Sequence, residues 1–420
     1  MSCVRLLPSV LSGEVSVPPS KSEAHRALIC SALAGRTELP TLGGPLCDDL
    51  LATRDALRQL LSSGGNPVEI DCRESGSTLR FLIPLAAALG VPARFTGRGR
   101  LPERPLGVYF DCLPEHGVQL TRGASGLPLR VEGRLTPGRF FLPGGVSSQF
   151  VTGLLLSLPL LSGDSEIILT SPLASAPYAA LTLRVMRAFG VSAGQTENGW
   201  LVPGNCRYRP NPAFRVERDW SQAAFFLAAG TLGGHLTLSG LTRDSCQGDC
   251  AAENLFRRLG AKISWCGNTL SVEPGQLPDS IPELSAEQIP DLVPALAAAA
   301  ALLPGRKTVI SHAGRLRLKE SDRLSAAADG LNALGGSVRE EPDGLVIRGV
   351  ERLRGGQAEG RNDHRIVMAL SVAALRAEHE TILSDAESVR KSYPDFFADY
   401  NRLGGKAYEL GEHPATDHIR

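Results

Sequence analysis

One local pattern returns along this chain at nearly constant distance: a helix closed by a glycine, then a short hairpin. It is clearest in MRAFGVSAGQTENGWLVPG (186–204), FRRLGAKISWCGNTLSVE (256–273) and LNALGGSVREEPDGLVIRG (331–349). Each opens with apolar residues at helical spacing and ends its helix at Gly190, Gly260 or Gly335, because glycine closes a last turn without a Cβ penalty. Alternating apolar and polar residues then flank a polar turn at Glu197-Asn198-Gly199, Gly267-Asn268 or Asp343-Gly344. Weaker copies stop at Gly117 and Gly404, so successive glycines stand 73, 70, 75 and 69 residues apart. That period exceeds the roughly 20–50 residues of solenoid repeats. It suits a βαβαββ unit of two helices on a small sheet, and about six such units fill 420 residues as two lobes of three. Helix–glycine–strand steps also occur in α/β proteins without repeats, but the near-equal intervals favour the repeat. The lobe boundary is expected near Glu217–Trp220, before SQAAFFLAAG opens a new helix. A cleft between lobes is a common place for a small ligand.

Charge narrows the partners. With 44 basic and 44 acidic side chains the net charge is zero, which argues against a nucleic-acid protein and against binding to an anionic membrane. Any positive charge used for binding must be local. Only six of the basic residues are lysines (Lys21, Lys262, Lys307, Lys319, Lys391 and Lys406). Each therefore invites inspection, since an ammonium is a compact donor whose pKa shifts on burial.

The nine cysteines form no C-x-x-C pair, and Cys246 and Cys250 lack further ligands at metal spacing. No metal is expected, and scattered thiols fit a reducing cytosol. MSCVRLLPSVLSGEVSVPPSK has no signal-peptide pattern. The longest apolar run, Leu292 to Leu303, is interrupted by Pro294 and is shorter than the ~18 residues of a membrane span. A soluble cytoplasmic protein is the expectation.

Three segments of the first lobe place small polar residues before an apolar helix. In Pro18-Pro19-Ser20-Lys21-Ser22-Glu23-Ala24-His25-Arg26, Ser20 or Ser22 can cap the helix while Lys21 and Arg26 add cations. A helix N-terminus with basic side chains is a ready anion site, though a plain capped surface helix reads the same way. Glu74-Ser75-Gly76-Ser77-Thr78-Leu79-Arg80 repeats the arrangement, with Gly76 allowing close backbone approach. Pro143-Gly144-Gly145-Val146-Ser147-Ser148-Gln149-Phe150 offers neutral donors before a third helix.

The second lobe carries charge instead. Asp291 stands at the mouth of an apolar helix, where it would also serve as an ordinary dipole complement. Residues 315–323 pack six charged groups, from Arg315 through Lys319 and Glu320 to Arg323; on a free surface these would be i,i+4 pairs. Asn362-Asp363-His364-Arg365 precedes another apolar helix, and Lys391 lies in VRKSYPDFFADY. Three of the six lysines fall in these segments.

In this order, PSKSEAHRAL, ESGSTLRF, LPERPLG, GGVSSQF, the acid of IPDLVP, LKESDRL, NDHRI and KSYPDF resemble the motifs of the EPSP synthase family, the 3-phosphoshikimate 1-carboxyvinyltransferases. The likeness runs from Pro18 to beyond Lys391. It implies an α/β, two-lobed enolpyruvyl-transferase fold, each lobe three βαβαββ repeats about a pseudo-threefold axis. The first lobe would be 19–218, the second 1–18 with 219–420, and the active site the cleft between them. The implied reaction moves the enolpyruvyl group of phosphoenolpyruvate to the 5-hydroxyl of shikimate 3-phosphate, in the pathway to chorismate and aromatic amino acids. No cofactor is implied, and a monomer is expected.

The resemblance also implies roles. Shikimate 3-phosphate would meet Ser147, Ser148, Ser175, Lys21, Ser22, Arg26, Gln149 and Tyr178, with Asp291, Arg315 and Lys319 at its ring. Phosphoenolpyruvate would meet Lys21, Gly76, Arg104, Gln149, Arg323, Arg365 and Lys391. Asp291 would accept the hydroxyl proton beside Lys319, and Glu320 would serve the methylene carbon. Lys21 or Lys391 would assist the phosphate. Some positions depart from the common pattern. Glu74 stands where many members have Asn, either beside the anion site or as a cap. Arg315 replaces a frequent Asn, Ser77 a frequent Thr, and Phe81 stands where some members have Pro. Retained Gly76 implies sensitivity to glyphosate. The sister transferase acting on UDP-N-acetylglucosamine usually carries a reactive Cys in a glycine-rich loop, absent from Gly97–Pro105 here. A non-catalytic member would be expected to lack Asp291, Glu320 or one of the lysines.

Overall fold

In a computed structural model of the protein, the described residues are 2–36 and 45–410. The chain divides into two compact units. The first holds Pro19–Glu217 and Asp244–Gly248; the second holds the residues up to Pro18, Arg218–Arg243 and the chain from Asp249 onward. Met1 and residues 411–420, the ends of the expected second lobe, lie outside the described residues.

The second unit is built from one motif used three times. Each copy is a four-stranded sheet whose first two strands are parallel and whose last two are antiparallel; in the first two copies those last two form a hairpin with its later strand inside. In spatial order the first sheet is Ser12–Val15, His235–Ser239, Thr269–Pro274 and Ala261–Cys266. The second is Leu284–Ser285, Lys307–Ser311, Gly344–Arg348 and Val338–Glu341. The third is Gly356–Ala358, Thr381–Leu383, Cys3–Leu7 and Lys406–Leu410, so the start of the chain supplies the strand its end lacks.

A helix leads into the second strand of each parallel pair: Trp220–Thr231, Val293–Ala300 and His364–Ala374. Every residue of these helices is buried, which explains why WSQAAFFLAAGT and VPALAAAA are apolar all round. The three helices pack against one another and form the centre of one core. That mutual packing of equivalent helices is the threefold relation within this unit.

The first unit repeats the sheet order twice, in Val68–Asp71, Ala93–Thr96, Leu129–Gly133 and Val118–Arg122, then in Arg139–Leu142, Ser165–Leu169, Gly199–Val202 and Gly194–Thr196. Gly76–Leu89 and Ser148–Ser157 are its crossover helices and pack together over a separate core. Among the described residues a further helix pair, Lys21–Leu33 and Asp48–Ser62, has no such sheet. Among the described residues the roughly 70-residue rhythm therefore appears as five four-stranded sheets and one further helix pair. Gly117, Gly190, Gly260, Gly335 and Gly404 all have φ between 80° and 99°, the left-handed stop that the pattern required.

Among the described residues no helix is long and apolar enough to cross a membrane. Nor, among them, do three or more His, Cys, Asp or Glu side chains gather as a metal site.

Candidate active site

In the first unit the three small-residue turns all become capped helix starts. Ser20, Ser75 and Ser147 each place a side-chain oxygen on a backbone N–H of the following turn. Ser20, and not Ser22, is the cap of the first helix; Ser75, and not Glu74, is the cap of the second. Glu74 instead lies over Gly99, whose added Cβ would fall 2.5 Å from its Oε2.

Side chains tie these starts together. Gln149 donates through Nε2 to Ser77 Oγ at 3.0 Å and accepts from Arg80 Nη1 at 2.6 Å. Arg80 also donates to the Pro105 carbonyl at 2.9 Å and lies over the Phe150 ring. Arg104 follows the short turn Leu101–Glu103, and its guanidinium lies against Gly76: a Cβ there would be 2.4 Å from Nη1. Lys21 Nζ sits 2.7 Å from Asp49 Oδ2. The Asp49 carbonyl accepts from Thr78 Oγ1, and that hydroxyl lies 2.7 Å from Ser75 Oγ. Beneath them Thr53 joins Thr78 at 2.7 Å and His25 Nδ1 at 2.8 Å, all fully buried. Burial first, then Lys21 and Arg26, holds His25 well below its usual pKa, hence neutral.

Arg26 is spent inside the protein. At 2% exposure it donates to Thr182 Oγ1 at 2.7 Å, to Thr152 Oγ1 and the Tyr178 carbonyl at 3.1 Å, and to the Ser22 carbonyl. Burial lowers its pKa to about 10, so it stays charged at neutral pH. Its contacts fix the backbone beside two expected ligands, Ser22 and half-buried Tyr178. Ser175 precedes helix Ala176–Ala188 with φ 57°, a strained conformation for a serine. Ser148 is buried at the start of its helix, and Ser147 half-buried.

The second unit gathers the expected acids and cations around Asp291. This residue lies in the single turn Pro290–Leu292 before helix Val293–Ala300. Arg323 Nη1 donates to its Oδ1 at 2.9 Å, Arg365 Nη2 to its Oδ2 at 3.1 Å, and Lys319 Nζ lies 3.6 Å from Oδ1. Burial pushes this carboxyl up, but Arg365, Lys319 and Arg323 outweigh it and hold the group well below the usual carboxylate range. Arg323, 1% exposed, also donates to Glu320 Oε2 at 2.7 Å and Asp363 Oδ2 at 2.8 Å. Burial works against its charge, yet Asp363, Glu320 and Asp291 keep its pKa raised. Asp363 further accepts from Ser321 Oγ and from the Arg365 backbone N–H, capping helix His364–Ala374.

Lys391 closes the turn Ala386–Lys391 and donates to the carbonyl and Oδ1 of Asn362 at 2.6 and 2.8 Å. Arg315, at the edge, donates to the Glu287 carbonyl. Thus Asp291, Lys319, Glu320, Arg323 and Arg365 form one contact set in this unit, while Lys391 joins it through the loop that holds Asn362 and Asp363. Sequence reasoning assigned no role to Asp49, Arg80, Asp249, Asn362 or Asp363. The acid just ahead of an apolar helix was a signal for Asp363, as the first-turn acids of CDDLLATR were for Asp49. For Asp249, in SCQGDC, there was none.

The model of the EPSP synthase (3-phosphoshikimate 1-carboxyvinyltransferase) family matches residues 7–400. The 3-phosphoshikimate 1-carboxyvinyltransferase of Clostridium kluyveri is 41% identical over 97% of this chain and 99% of its own length. That of Clostridioides difficile is 38% identical, with 97% and 99% covered. Among solved structures, EPSP synthase from Acinetobacter baumannii superposes with a TM-score of 0.76 at 24% identity, covering 98% of this chain and all of that one. The enolpyruvyl transferase NikO from Streptomyces tendae gives 0.72 at 18% identity, over 97% and 99%. These two likenesses speak for the fold alone. With the family model spanning nearly the whole chain, and relatives near 40% identity matching from end to end, the chain belongs to the EPSP synthase family.

Proposed function

We propose that this enzyme transfers the enolpyruvyl group of phosphoenolpyruvate to the 5-hydroxyl of shikimate 3-phosphate, releasing inorganic phosphate. The observation that carries this reading is Asp291 among Lys319, Arg323 and Arg365, with Glu320 on the same guanidinium. Asp291 takes the hydroxyl proton as the oxygen adds to the enol carbon, and Glu320 delivers a proton to the methylene carbon. In the tetrahedral adduct a methyl proton returns to the Glu320 carboxylate, the C=C bond re-forms, and the C–O bond to phosphate breaks to release inorganic phosphate.

Three cations that depress Asp291 would make it a weak base in the free protein. Arg323 and Arg365 are also the groups suited to the phosphoenolpyruvate carboxylate, since guanidinium binds carboxylates bidentately. The arriving anion draws positive charge away from Asp291 and restores its basicity only when substrate is present. In the first unit Lys21, Ser147, Ser148, Gln149, Ser175 and the Gly76–Arg104 contact supply donors for the two phosphates, while Arg26 and Arg80 hold the surrounding backbone. Lys391 receives the departing phosphate. We take the enzyme as a cytoplasmic monomer that needs no metal.

Phosphate release from phosphoenolpyruvate, with shikimate 3-phosphate or UDP-N-acetylglucosamine as acceptor, tests the reading. Release is expected only with the first acceptor. In Asp291→Ala it should fall by about 10²–10⁴-fold, the usual contribution of positioned proton transfer. Equal release in that variant, or release only with the nucleotide sugar, would overturn it.

A further inference from the structure

The residues that hold Lys391 adopt a backbone that side chains rarely tolerate. Arg361 and Asn362 are consecutive left-handed residues, with φ 53° and 50°, and Asp385 is left-handed at 58°. Asparagine accepts this conformation better than most residues, but two in succession persist only where the surroundings over-determine them. Here the contacts close a ring. Asp385 begins the turn whose last residue is Lys391, and Lys391 Nζ returns to both oxygens of Asn362. The Asn362 N–H in turn donates to Asp385 Oδ2 at 3.2 Å, an oxygen that also accepts from Ser384 Oγ at 3.2 Å. The next residue, Asp363, is fully buried and holds Arg323 and the start of the Arg365 helix.

We propose that Asn362 is a positioning residue for phosphoenolpyruvate: its left-handed backbone aims two neutral oxygens at the Lys391 ammonium and orients that cation toward the substrate's phosphate without adding a charge. This deepens the enolpyruvyl-transfer reading and rests on it. The side chain's chemistry carries the argument. An aspartate at 362 would match asparagine in size, in tolerance of positive φ and in its acceptor oxygen. It would also set a negative charge against the ammonium and beside the incoming phosphate.

Asn362→Asp therefore separates positioning from mere structure. With shikimate 3-phosphate saturating, N362D should raise KM for phosphoenolpyruvate by about tenfold while kcat changes less than about threefold. The KM for shikimate 3-phosphate and the melting temperature should hardly move. Asn362→Gly, which keeps the carbonyl and the backbone but loses Oδ1, should raise the same KM by about threefold, and it carries the test should N362D not fold.

A second readout does not need turnover. In ¹⁵N-lysine NMR of a protein with six lysines, the Lys391 ammonium, assigned with Lys391→Arg, should be protected from exchange in the wild type and exchange faster in N362G, which keeps only the carbonyl acceptor. A silent wild type would defeat the enolpyruvyl-transfer reading, while the NMR arm would still decide whether Asn362 holds Lys391. Unchanged KM in both variants, or an unchanged Lys391 signal in N362G, would overturn the proposal.

Discussion

Asp249 is 3% exposed, accepts a hydrogen bond from Ser221 Oγ, and has Asp291 and Arg365 as charged neighbours. Burial, then the nearby Asp291 charge, pushes its carboxyl up to about 6, against relief from Ser221 and Arg365. The folded chain thus binds this proton more tightly than an unfolded chain, whose carboxyl titrates at 3.8. Below about pH 4 both states are protonated and the group contributes nothing. Between about 4 and 6 the unfolded chain ionises while the folded group keeps its proton, so the fold loses stability progressively, by up to about 3 kcal/mol in full. We expect Asp249→Asn to melt higher than the wild type above pH 6, with the advantage fading toward pH 4. Melting curves across that range check it, and an advantage that is constant or grows in acid would refute it. Such a residue was invisible in the sequence because its environment comes from Trp220–Thr231 and the Asp291 turn, distant in the chain. Lys319 and Arg323 were visible because the motif holding them is local.

Helix starts show the same division at the next scale. Ser20, Ser75 and Ser147 were readable because a cap and the N–H groups it serves lie within a few residues. The His25–Thr53–Thr78 chain that aligns two of these starts was not, because its members are 25 and 28 residues apart on three helices. Gly76 combines both kinds of constraint. Its place before an apolar helix was legible, but its partner, the Arg104 guanidinium, appears only in three dimensions. Because that partner is the far end of a flexible side chain, Gly76→Ala should fold normally while displacing Arg104. We expect KM for phosphoenolpyruvate to rise about tenfold and glyphosate inhibition to weaken, with little change in melting temperature. Steady-state kinetics with and without the inhibitor would show it; an unchanged KM would mean that Arg104 does not meet this substrate.

Across the whole molecule, the glycine rhythm carried the repeat because left-handed stops leave a mark in sequence. It could not reveal that Cys3–Leu7 completes a sheet with Thr381–Leu383 and Lys406–Leu410, since register across nearly the whole chain has no local signature. Nor could it assign Asp244–Gly248 to the first unit, where Ser245 and Gln247 donate to Glu217. Residues 19–217 hold two complete sheets and their own core. That fragment should unfold in urea as one cooperative transition, whereas residues 218–410 should fold only when residues 2–18 are supplied. Circular dichroism of the two fragments decides this, and a structureless 19–217 would refute it. The same topology sets a timetable for synthesis. A ribosome adding about 5–20 residues per second releases Cys3–Leu7 first and its partners roughly 20–80 s later. Val4 and Leu6, buried in the finished protein, wait throughout that interval for their sheet partners, which makes this strand a natural client for holding chaperones.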